Sequence, residues 1–271
     1  MTRLNPRDAR ARADRLASGE VTAAEFSEAL SRGLRILTAF DQRRQRMTLA
    51  EVAAAVSLPR ATARRALMTL VHLGYVSVED RVYQLTPHVL ELATAYLLAN
   101  PLSVIVQPAC ERICAQAGAS CTVAVLDGAD AVMIARAVPK NPLYLGTGVG
   151  YRVPALHSAL GRVLLACLGD EQREAFLGSV EPVQVTPQTV TGKAELRTLI
   201  EKVRSDGFAY VDREAESGFH SVAVPLQRWD GRAVAAINIG AHVDRVSRAT
   251  MLGPMLATLR AASAGLRRQL I

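Results

Sequence analysis

A cluster of basic and hydroxyl side chains at the start of one predicted helix could read nucleic acid. The helix runs from about Arg60 to Leu73, and its first two turns carry Arg60, Thr62, Arg64 and Arg65. A guanidinium group can donate two hydrogen bonds to guanine or phosphate, and the first turns of a recognition helix reach base edges in the major groove. This pattern predicts DNA recognition. A solvated basic face on an ordinary helical bundle is the alternative interpretation.

A second group of residues has the types of a catalytic site. His157 and Ser158 place a base next to a hydroxyl, and Asp212 supplies a carboxylate. Adjacent His and Ser side chains rarely point at each other, however, and the sequence lacks the G-x-S-x-G turn that presents a nucleophilic serine. We therefore predict that the chain is not an enzyme. A small-molecule hydrolase or lyase that uses these three residues and carries an accessory DNA-binding module is the alternative.

The same region could instead bind an anion. His157 precedes the N-terminus of a predicted helix from Ala159 to Leu168, where free N–H groups and the helix dipole favour a carboxylate. A buried or helix-capping imidazole is the other interpretation. Arg136 and Arg152 could each hold a carboxylate through two hydrogen bonds, and each could equally be a surface or interface charge.

Three cysteines raise the question of a metal site. Cys110 and Cys114 could share a helix face, and Cys121 begins the next predicted strand. A structural zinc site needs four ligands, and no C-x-x-C pair is present, so buried free thiols are the favoured interpretation. The glycine-rich run 146–150 lacks the Lys-Ser/Thr of a phosphate loop and predicts a flexible turn or lid. We predict no metal and no cofactor.

The charge of the chain is concentrated in one segment. The 271 residues carry a net charge of +7, from 32 basic and 25 acidic side chains. Residues 31–85 hold nine basic and four acidic residues, which is typical of a small nucleic-acid-binding module joined to a nearly neutral larger domain. The chain has four cysteines and no charged N-terminal segment followed by an apolar run. These features predict a cytoplasmic protein without a membrane partner.

The elements around the basic helix predict a winged helix-turn-helix. A helix with an apolar face begins near Ser31, and Thr48 with Glu51 forms the capping box of the next helix. A tight turn at residues 57–59 leads into the basic helix, and two strand-like runs, 75–78 and 82–85, then form a hairpin. Arg81 lies in the predicted wing.

Residues 87–100 predict an apolar linker helix that needs a partner. The helix could pair with its copy in a dimer, which would place two recognition helices on two half-sites, or it could pack on its own domains. Beyond Pro101 the sequence predicts helices and strand-like runs at 120–126, 131–138, 143–145, 208–211, 221–226 and 233–239. Because hairpins join several of these runs, we expect a mixed α+β domain with a largely antiparallel sheet and helices on one face.

These observations give four predicted segments. Residues 1–30 form an N-terminal extension, 31–86 a winged helix-turn-helix domain, 87–100 the linker helix, and 101–271 a C-terminal effector-binding domain. The fold class is α+β.

Several motifs in one order resemble a known family. They are SRGLRILTAF, SLPRATARRALMTLVHLGYV, YQLT, RVPALHSALGRVLLA, GFAYVDREAESGFHSVAVPL and GRAVAAINIG, and they cover roughly residues 31–271. Together they are similar to the IclR family of bacterial transcriptional regulators. The segment LDGADAVMIARAV, the stretch GYRVPALHSALGRVLLA and the extended N-terminus look most like the branch that regulates catabolism of aromatic acids such as protocatechuate and p-hydroxybenzoate.

The resemblance implies a function and a set of residues. A regulator of this family binds a pseudo-palindromic operator as a homodimer or a dimer of dimers, and its C-terminal domain binds a small organic acid that alters promoter binding. The DNA-binding candidates are Thr48, Arg60, Thr62, Arg64, Arg65 and Arg81. The effector-binding candidates are Arg136, Arg152, His157, Ser158, Ala159, Leu160, Asp212, Ser221, Asn238 and Gly240. A DNA-associated scaffold without an effector is a further possibility.

Overall fold

The computed structural model describes residues 26–41, 43–139 and 148–270. The chain divides into two compact units, Met1–Thr94 and Ala95–Ile271. This division falls inside the predicted linker segment, and the four predicted segment bounds stay predictions. Most of the predicted N-terminal extension and the predicted strand 143–145 lie outside the described residues.

Three helices surround the core of the first unit. They are α1 (Glu28–Leu37), α2 (Leu49–Ala55) and α3 (Arg60–His72). Ile36, Val52 and Leu67 are buried where these helices meet. The predicted start of α1 near Ser31 is wrong. Ser27 caps this helix instead, because its hydroxyl accepts a hydrogen bond from the Leu30 amide, and an acidic residue in the first turn suits the helix dipole.

A three-stranded sheet completes the first unit. The strands β1 (Met47–Thr48), β2 (Val76–Glu79) and β3 (Val82–Leu85) lie in the order β1-β3-β2, and every pair is antiparallel. The hairpin between β2 and β3 was predicted, whereas β1 was not, since two residues are too few to give a periodic pattern. The winged helix-turn-helix predicted from the sequence is confirmed.

The apolar linker helix begins later than predicted. A 3-10 turn (Pro87–Val89) precedes α4 (Leu90–Ala99), and none of the α4 side chains is buried. Leu90 and Leu98 are 65% and 77% exposed. Within the described ranges no single helix is long and apolar enough to cross a membrane, although the bent pair Pro87–Ala99 and Pro101–Ala117 passes that length and composition test jointly.

The second unit is built on a six-stranded sheet with the order β6-β5-β4-β9-β8-β7, in which every neighbouring pair is antiparallel. The strands are β4 (Ser120–Asp127), β5 (Asp130–Ala137), β6 (Arg152–Pro154), β7 (Ala209–Asp212), β8 (Phe219–Gln227) and β9 (Ala233–His242). The short edge strand β6 was not predicted. The α+β class with a largely antiparallel sheet is confirmed.

Helices cover both faces of this sheet, so the expectation of helices on one face is wrong. The helices are α5 (Pro101–Ala117), α6 (Ala159–Ala166), α7 (Asp170–Ser179), α8 (Lys193–Asp206), α9 (Arg248–Thr250) and, after a π-helical turn (Met251–Met255), α10 (Leu256–Leu266). A 3-10 turn (Ala155–His157) precedes α6. Successive residues of a strand point to opposite faces of the sheet. Unbroken apolar runs such as residues 222–226 therefore make both faces apolar enough to be covered by helices.

The two faces differ in side-chain size. Val123, Ile237 and Ile239 pack with α5 and α10, whereas Ala124 and Ala236 pack with α6. Small side chains let a helix approach a sheet closely. On the face that α6 covers, β4 and β9 also carry polar side chains next to these alanines. These polar side chains lie beyond the N-terminal end of α6.

Candidate functional site

The helix that precedes the basic helix, α2, is fixed at its start by local hydrogen bonds. The Thr48 hydroxyl accepts a hydrogen bond from the Glu51 amide (3.4 Å), and the Glu51 carboxylate accepts one from the Thr48 amide (2.7 Å). Hydrogen bonds from the Thr48 amide and hydroxyl lower the pKa of Glu51. The predicted capping box is therefore confirmed. Leu58 is buried between α2 and α3, which ties the turn to the core.

Helix α3 presents its basic residues on two exposed faces. Ala63, Leu67 and Leu70 face the core. Arg60 and Arg64, four residues apart, share one exposed face, whereas Thr62 and Arg65 line a groove between α1 and α3. None of the three arginines forms an ion pair with a residue that the structure describes.

The wing presents one further arginine. Asp80 and Arg81 form the two-residue turn between β2 and β3, with φ angles of 49° and 65°. Two successive left-handed residues are what a tight hairpin turn requires. Arg81 is exposed at the tip of the wing.

A cavity of about 580 Å³ lies in the second unit, at the N-terminal end of α6. Its floor is the polar stretch of the sheet, formed by Ser120, Thr122, Ser221 and Asn238. The register explains this cluster, because Thr122 pairs with Asn238 across β4 and β9, and Ser221 pairs with Gly240 across β8 and β9. The volume is in the range of small-molecule sites.

The walls of the cavity combine apolar and charged side chains. The apolar wall is formed by Met133, Tyr151, Val153, Leu160, Val211, Ala215 and Phe219. The polar and charged wall is formed by Arg136, His157, Ser158, Glu216, His242, Asp244 and Arg245. Such a cavity suits a small ligand with an apolar body and a charged or polar end. Arg136 and Arg245 are the arginines of this wall.

His157 and Ser158 are at the cavity but do not form a catalytic pair. The Ser158 hydroxyl accepts a hydrogen bond from the Gly161 amide (3.1 Å) and caps α6. His157 is 2% exposed, and burial, followed by the positive charge of Arg162, lowers the pKa of its imidazole. His157 is therefore neutral near pH 7. The capping serine has its hydroxyl committed to the helix, which does not favour the hydrolase interpretation.

Four predicted effector residues do not line the cavity. Arg152 binds Asp127 (2.7 Å) and Asp130 (2.9 Å) at the β4–β5 hairpin, because these carboxylates are its nearest charged neighbours. The Asp212 carboxylate accepts a hydrogen bond from Arg213 Nε (2.9 Å). Ala159 is buried in the α6 core.

Gly240, the fourth, lies in the sheet between the floor residues Ser120 and Ser221. A Cβ atom there would come within 2.4 Å of Phe219 Cζ. The glycine therefore makes room for the Phe219 ring, which lines the cavity.

One acidic residue was misjudged from the sequence. In the sequence, Asp212, Glu214 and Glu216 alternate along the chain after a predicted strand, a pattern typical of a solvated loop. Glu214 is nevertheless 7% exposed, and its carboxylate accepts a hydrogen bond from Arg162 Nη2 (2.6 Å). The sequence offered no signal for this pair, since the two residues are 52 positions apart. Glu216 lines the cavity, as do the unpredicted His242 and Arg245.

The three candidate metal-binding cysteines are buried free thiols. Cys110, Cys114 and Cys121 lie in the core between α5 and the sheet. Burial raises the pKa of Cys114, and a hydrogen bond with Cys110 and burial raise that of Cys121. Protonated thiols are poor metal ligands. In the part of the chain that the structure describes, no group of three or more His, Cys, Asp or Glu residues could hold a metal ion.

Two family models match the chain. The IclR helix-turn-helix domain matches residues 29–80, and the C-terminal domain of the bacterial transcriptional regulator IclR matches residues 94–268. A Pseudomonas putida protein named Pca regulon regulatory protein is 37% identical, over 91% of this chain and 85% of its own length.

Solved structures agree with these matches. A transcriptional regulator from Rhodococcus sp. RHA1 is 39% identical with a TM-score of 0.80, and the match covers 90% of this chain and 98% of that one. An IclR homologue from Microbacterium hydrocarbonoxydans, complexed with 4-hydroxybenzoate, is 26% identical with a TM-score of 0.75 and covers 89% of this chain and 98% of that one.

A winged helix-turn-helix joined to a domain with a ligand-sized cavity defines a DNA-binding transcriptional regulator. The family matches are specific: the chain belongs to the IclR family of bacterial transcriptional regulators. The resemblance to its aromatic-acid branch is confirmed. The relatives are named as regulators or repressors, so the prediction that the chain is not an enzyme is confirmed as well.

Proposed function

We propose that this regulator binds a small aromatic carboxylate in the cavity of its second unit and that the ligand changes its affinity for an operator. The observation that carries the proposal is the composition of the cavity. An apolar wall that includes Phe219 and Leu160 suits an aromatic ring, and the polar floor with Arg136 and Arg245 suits the carboxylate and further polar substituents. The 4-hydroxybenzoate bound to the Microbacterium homologue has this chemistry.

The proposed effector contacts come from the residues that face the cavity. Arg136, His157, Ser158, Leu160, Ser221 and Asn238 keep the effector-binding role predicted for them. The Asn238 side chain is buried, and its Oδ1 atom has no hydrogen-bond partner among the described residues. A ligand donor group would satisfy this acceptor, which otherwise bears an unrecovered desolvation cost.

The proposed DNA contacts come from α3 and the wing. Arg60 and Arg64 face outward together and would reach base edges, and Arg65 and Thr62 flank them near α1. Arg81 would contact the phosphate backbone from the wing. Thr48 has its hydroxyl engaged with Glu51, so we propose that it acts through the capping box and the helix position.

We further propose that the protein is a cytoplasmic homodimer that can assemble into a dimer of dimers. The support is the apolar surface of α4, where Leu90, Leu92, Tyr96 and Leu98 are exposed. Exposed apolar patches of this kind mark association sites. Leu98→Glu is expected to shift the protein toward the monomer in sedimentation-velocity experiments, whereas Thr198→Glu, at an exposed position of α8, serves as the charge-matched control.

The effector proposal is tested with a panel of carboxylic acids. Purified protein is titrated with benzoate, 3-hydroxybenzoate, 4-hydroxybenzoate and, as an aliphatic comparison, succinate, by calorimetry and thermal shift. A ligand that binds only the folded state raises its apparent stability. Selective binding of the aromatic acids supports the proposal. Binding of succinate alone, or of none of the four acids, contradicts it.

A further inference from the structure

A buried ion pair lies directly behind one wall of the cavity. Arg162, on α6, donates a hydrogen bond from Nη2 to Glu214 Oε2 (2.6 Å), and from Nε to the Leu156 carbonyl (2.9 Å). The two side chains are 4% and 8% exposed. Neither residue lines the cavity. Their position makes them a link between the helix that begins at the cavity and a loop that borders it.

Glu214 belongs to the loop 213–218, which joins β7 to β8. Its carboxylate also accepts a hydrogen bond from the Val190 amide (3.2 Å). The Thr186 and Thr189 hydroxyls donate to the carbonyls of Arg213 (2.6 Å) and Glu214 (2.7 Å). The base of the loop is therefore held by two separate segments, α6 and the residues around Thr186.

The other side of the loop forms part of the cavity wall. Ala215 and Glu216, which follow Glu214 directly, line the cavity. The loop begins with Arg213 at a φ angle of 59°, an unfavourable conformation for a side-chain-bearing residue. Such a conformation persists only where the surrounding contacts impose it. The contacts around it are a hydrogen bond from the Arg213 amide to the Phe219 carbonyl (2.8 Å) and those made by Glu214 and by the two carbonyls.

The buried pair is a poor device for stability alone. Replacing a buried ion pair with apolar residues of similar volume is often neutral or stabilising, because the attraction hardly repays the loss of hydration. The pair fixes the loop 213–218, which contains Glu214, relative to α6, which contains Arg162. A fixed wall determines which substituents of a ligand fit.

We propose that Arg162 and Glu214 are positioning residues, which hold the loop 213–218 against the cavity and thereby set which ring substituents the ligand can carry. This inference rests on the proposed function, because it concerns the selectivity of the same cavity. His157 joins the two parts: it lines the cavity, and its Nδ1 atom lies 4.0 Å from Glu214 Oε2. The neutral imidazole leaves the cluster of three side chains without net charge.

Three variants separate positioning from stability and from charge. Glu214→Gln leaves the Arg162 charge unbalanced, Arg162→Met leaves the Glu214 charge unbalanced, and the double variant removes both charges. A carboxylate ligand meets an added positive charge in the first variant and an added negative charge in the second. The overall affinity for the acids should therefore change in opposite directions in the two single variants. The loss of a fixed loop should change the selectivity among the acids in the same direction in all three variants.

The experiment uses the full chain. Urea denaturation gives the stability of each variant, and calorimetry gives the Kd values for benzoate, 3-hydroxybenzoate and 4-hydroxybenzoate. We expect the single variants to be destabilised and the double variant to recover most of the loss. We expect the ratio between the weakest and the tightest Kd to fall about tenfold in all three variants, the double variant included.

Recovery of the wild-type ratio in the double variant, in parallel with its stability, would overturn the proposal, since the pair would then be structural only. Wild-type protein that binds the three acids equally would overturn it as well. Wild-type protein that binds none of them would overturn the proposed function and this inference together. Binding with unchanged ratios in all variants would overturn the inference alone.

Two further variants complete the design. The exposed pair formed by Arg197 and Glu174 (2.6 Å) supplies the matched control, and Glu174→Gln should leave the Kd ratio within about twofold of wild type. Thr189→Val removes a hydroxyl that holds the Glu214 carbonyl without exposing a buried charge. This variant should lower the ratio even if the charge variants do not fold, and an unchanged ratio in it would count against the proposal.

Discussion

The basic helix and the cavity use charged residues in opposite ways. On α3, Arg60, Arg64 and Arg65 are exposed and form no ion pair with a described residue. At the cavity, Arg162 and Glu214 pair with each other and are buried. The first arrangement keeps donors available to a large external partner. In the second arrangement the two charges bind each other and hold a wall of the cavity in place. Ligand recognition there depends on the shape of the cavity as well as on its charge.

This difference predicts whether a single substitution alters one property of the protein or several. A substitution on the outer face of α3 removes a contact and leaves the core of that unit intact. A substitution near the cavity changes a wall to which five separate chain segments contribute. We therefore expect clean, single-function effects from the first region and coupled effects on stability and ligand binding from the second.

The largest effect is expected from reversing two charges on α3. Arg64→Glu with Arg65→Glu should weaken operator binding by about 100-fold or more at constant salt, since a base or phosphate contact contributes about 1–3 kcal/mol. Ligand binding should not change. Gel-shift titration and calorimetry measure the two. Arg112→Glu with Arg268→Glu, both exposed in the second unit, gives the same change in net charge and should leave specific operator binding within a few fold.

A smaller but coupled effect is expected at the cavity floor. Gly240→Ala would place a Cβ atom 2.4 Å from Phe219 Cζ, which is too close, so the Phe219 ring must move. Overpacking of this kind costs about 1–3 kcal/mol, and displacement of the ring should also change ligand affinity. Urea denaturation and calorimetry on one preparation test the coupling. A variant that loses stability with unaltered binding would break the comparison.

The cavity proposal is sharpened by two neighbouring residues. Ser221 faces the cavity and Asp212 faces Arg213, so Ser221→Leu should weaken ligand binding by about tenfold, or roughly 1.4 kcal/mol, without loss of folding. Asp212→Ala should leave the Kd within about twofold. Equal effects of the two substitutions would show that the cavity is not the binding site.

The smallest expected effect is a dependence of stability on pH. Burial and the Arg162 charge lower the pKa of His157 below its ordinary value of 6.5, and burial lowers that of His220. The unfolded chain therefore binds protons near pH 6.5 that the folded chain does not. The free energy of unfolding should fall below that pH, by at most about 1.4 kcal/mol per pH unit for each histidine, until the lowered pKa is reached.

His157→Gln should flatten this slope, as measured by urea denaturation between pH 7.5 and 5.5. A slope identical to wild type would assign the effect to His220 instead.

The first unit was predicted well because its signals are local. The capping box at Thr48 and Glu51 spans four residues, and the two strands of the wing are adjacent in sequence. Hydrogen bonds and periodicity within one element are readable from the sequence itself.

The cavity was predicted only in part because its residues come together through the sheet. Ser221, Asn238 and Leu160 were identified through the family resemblance, and they do line it. Glu216 and Arg245 lie on loops and His242 is the last residue of β9, and the positions of all three depend on strand register. Glu214 was misjudged because its partner is set by tertiary packing. Arg152 was misjudged because its nearest carboxylates become visible only once the β4–β5 hairpin is formed.

One neighbour of β4 in the sheet is β9, which is the last of the six strands to be synthesised. The Ser120 hydroxyl donates to the Gly240 carbonyl across 120 positions of sequence, and β9 lies between β4 and β8 in the finished sheet. Closing so long a loop is slow and entropically costly, whereas the contacts of the first unit are short in sequence. During translation, the winged helix can therefore fold while the sheet is still open. Until β9 leaves the ribosome, the nascent regulator has a domain for DNA and no floor on which a ligand could bind.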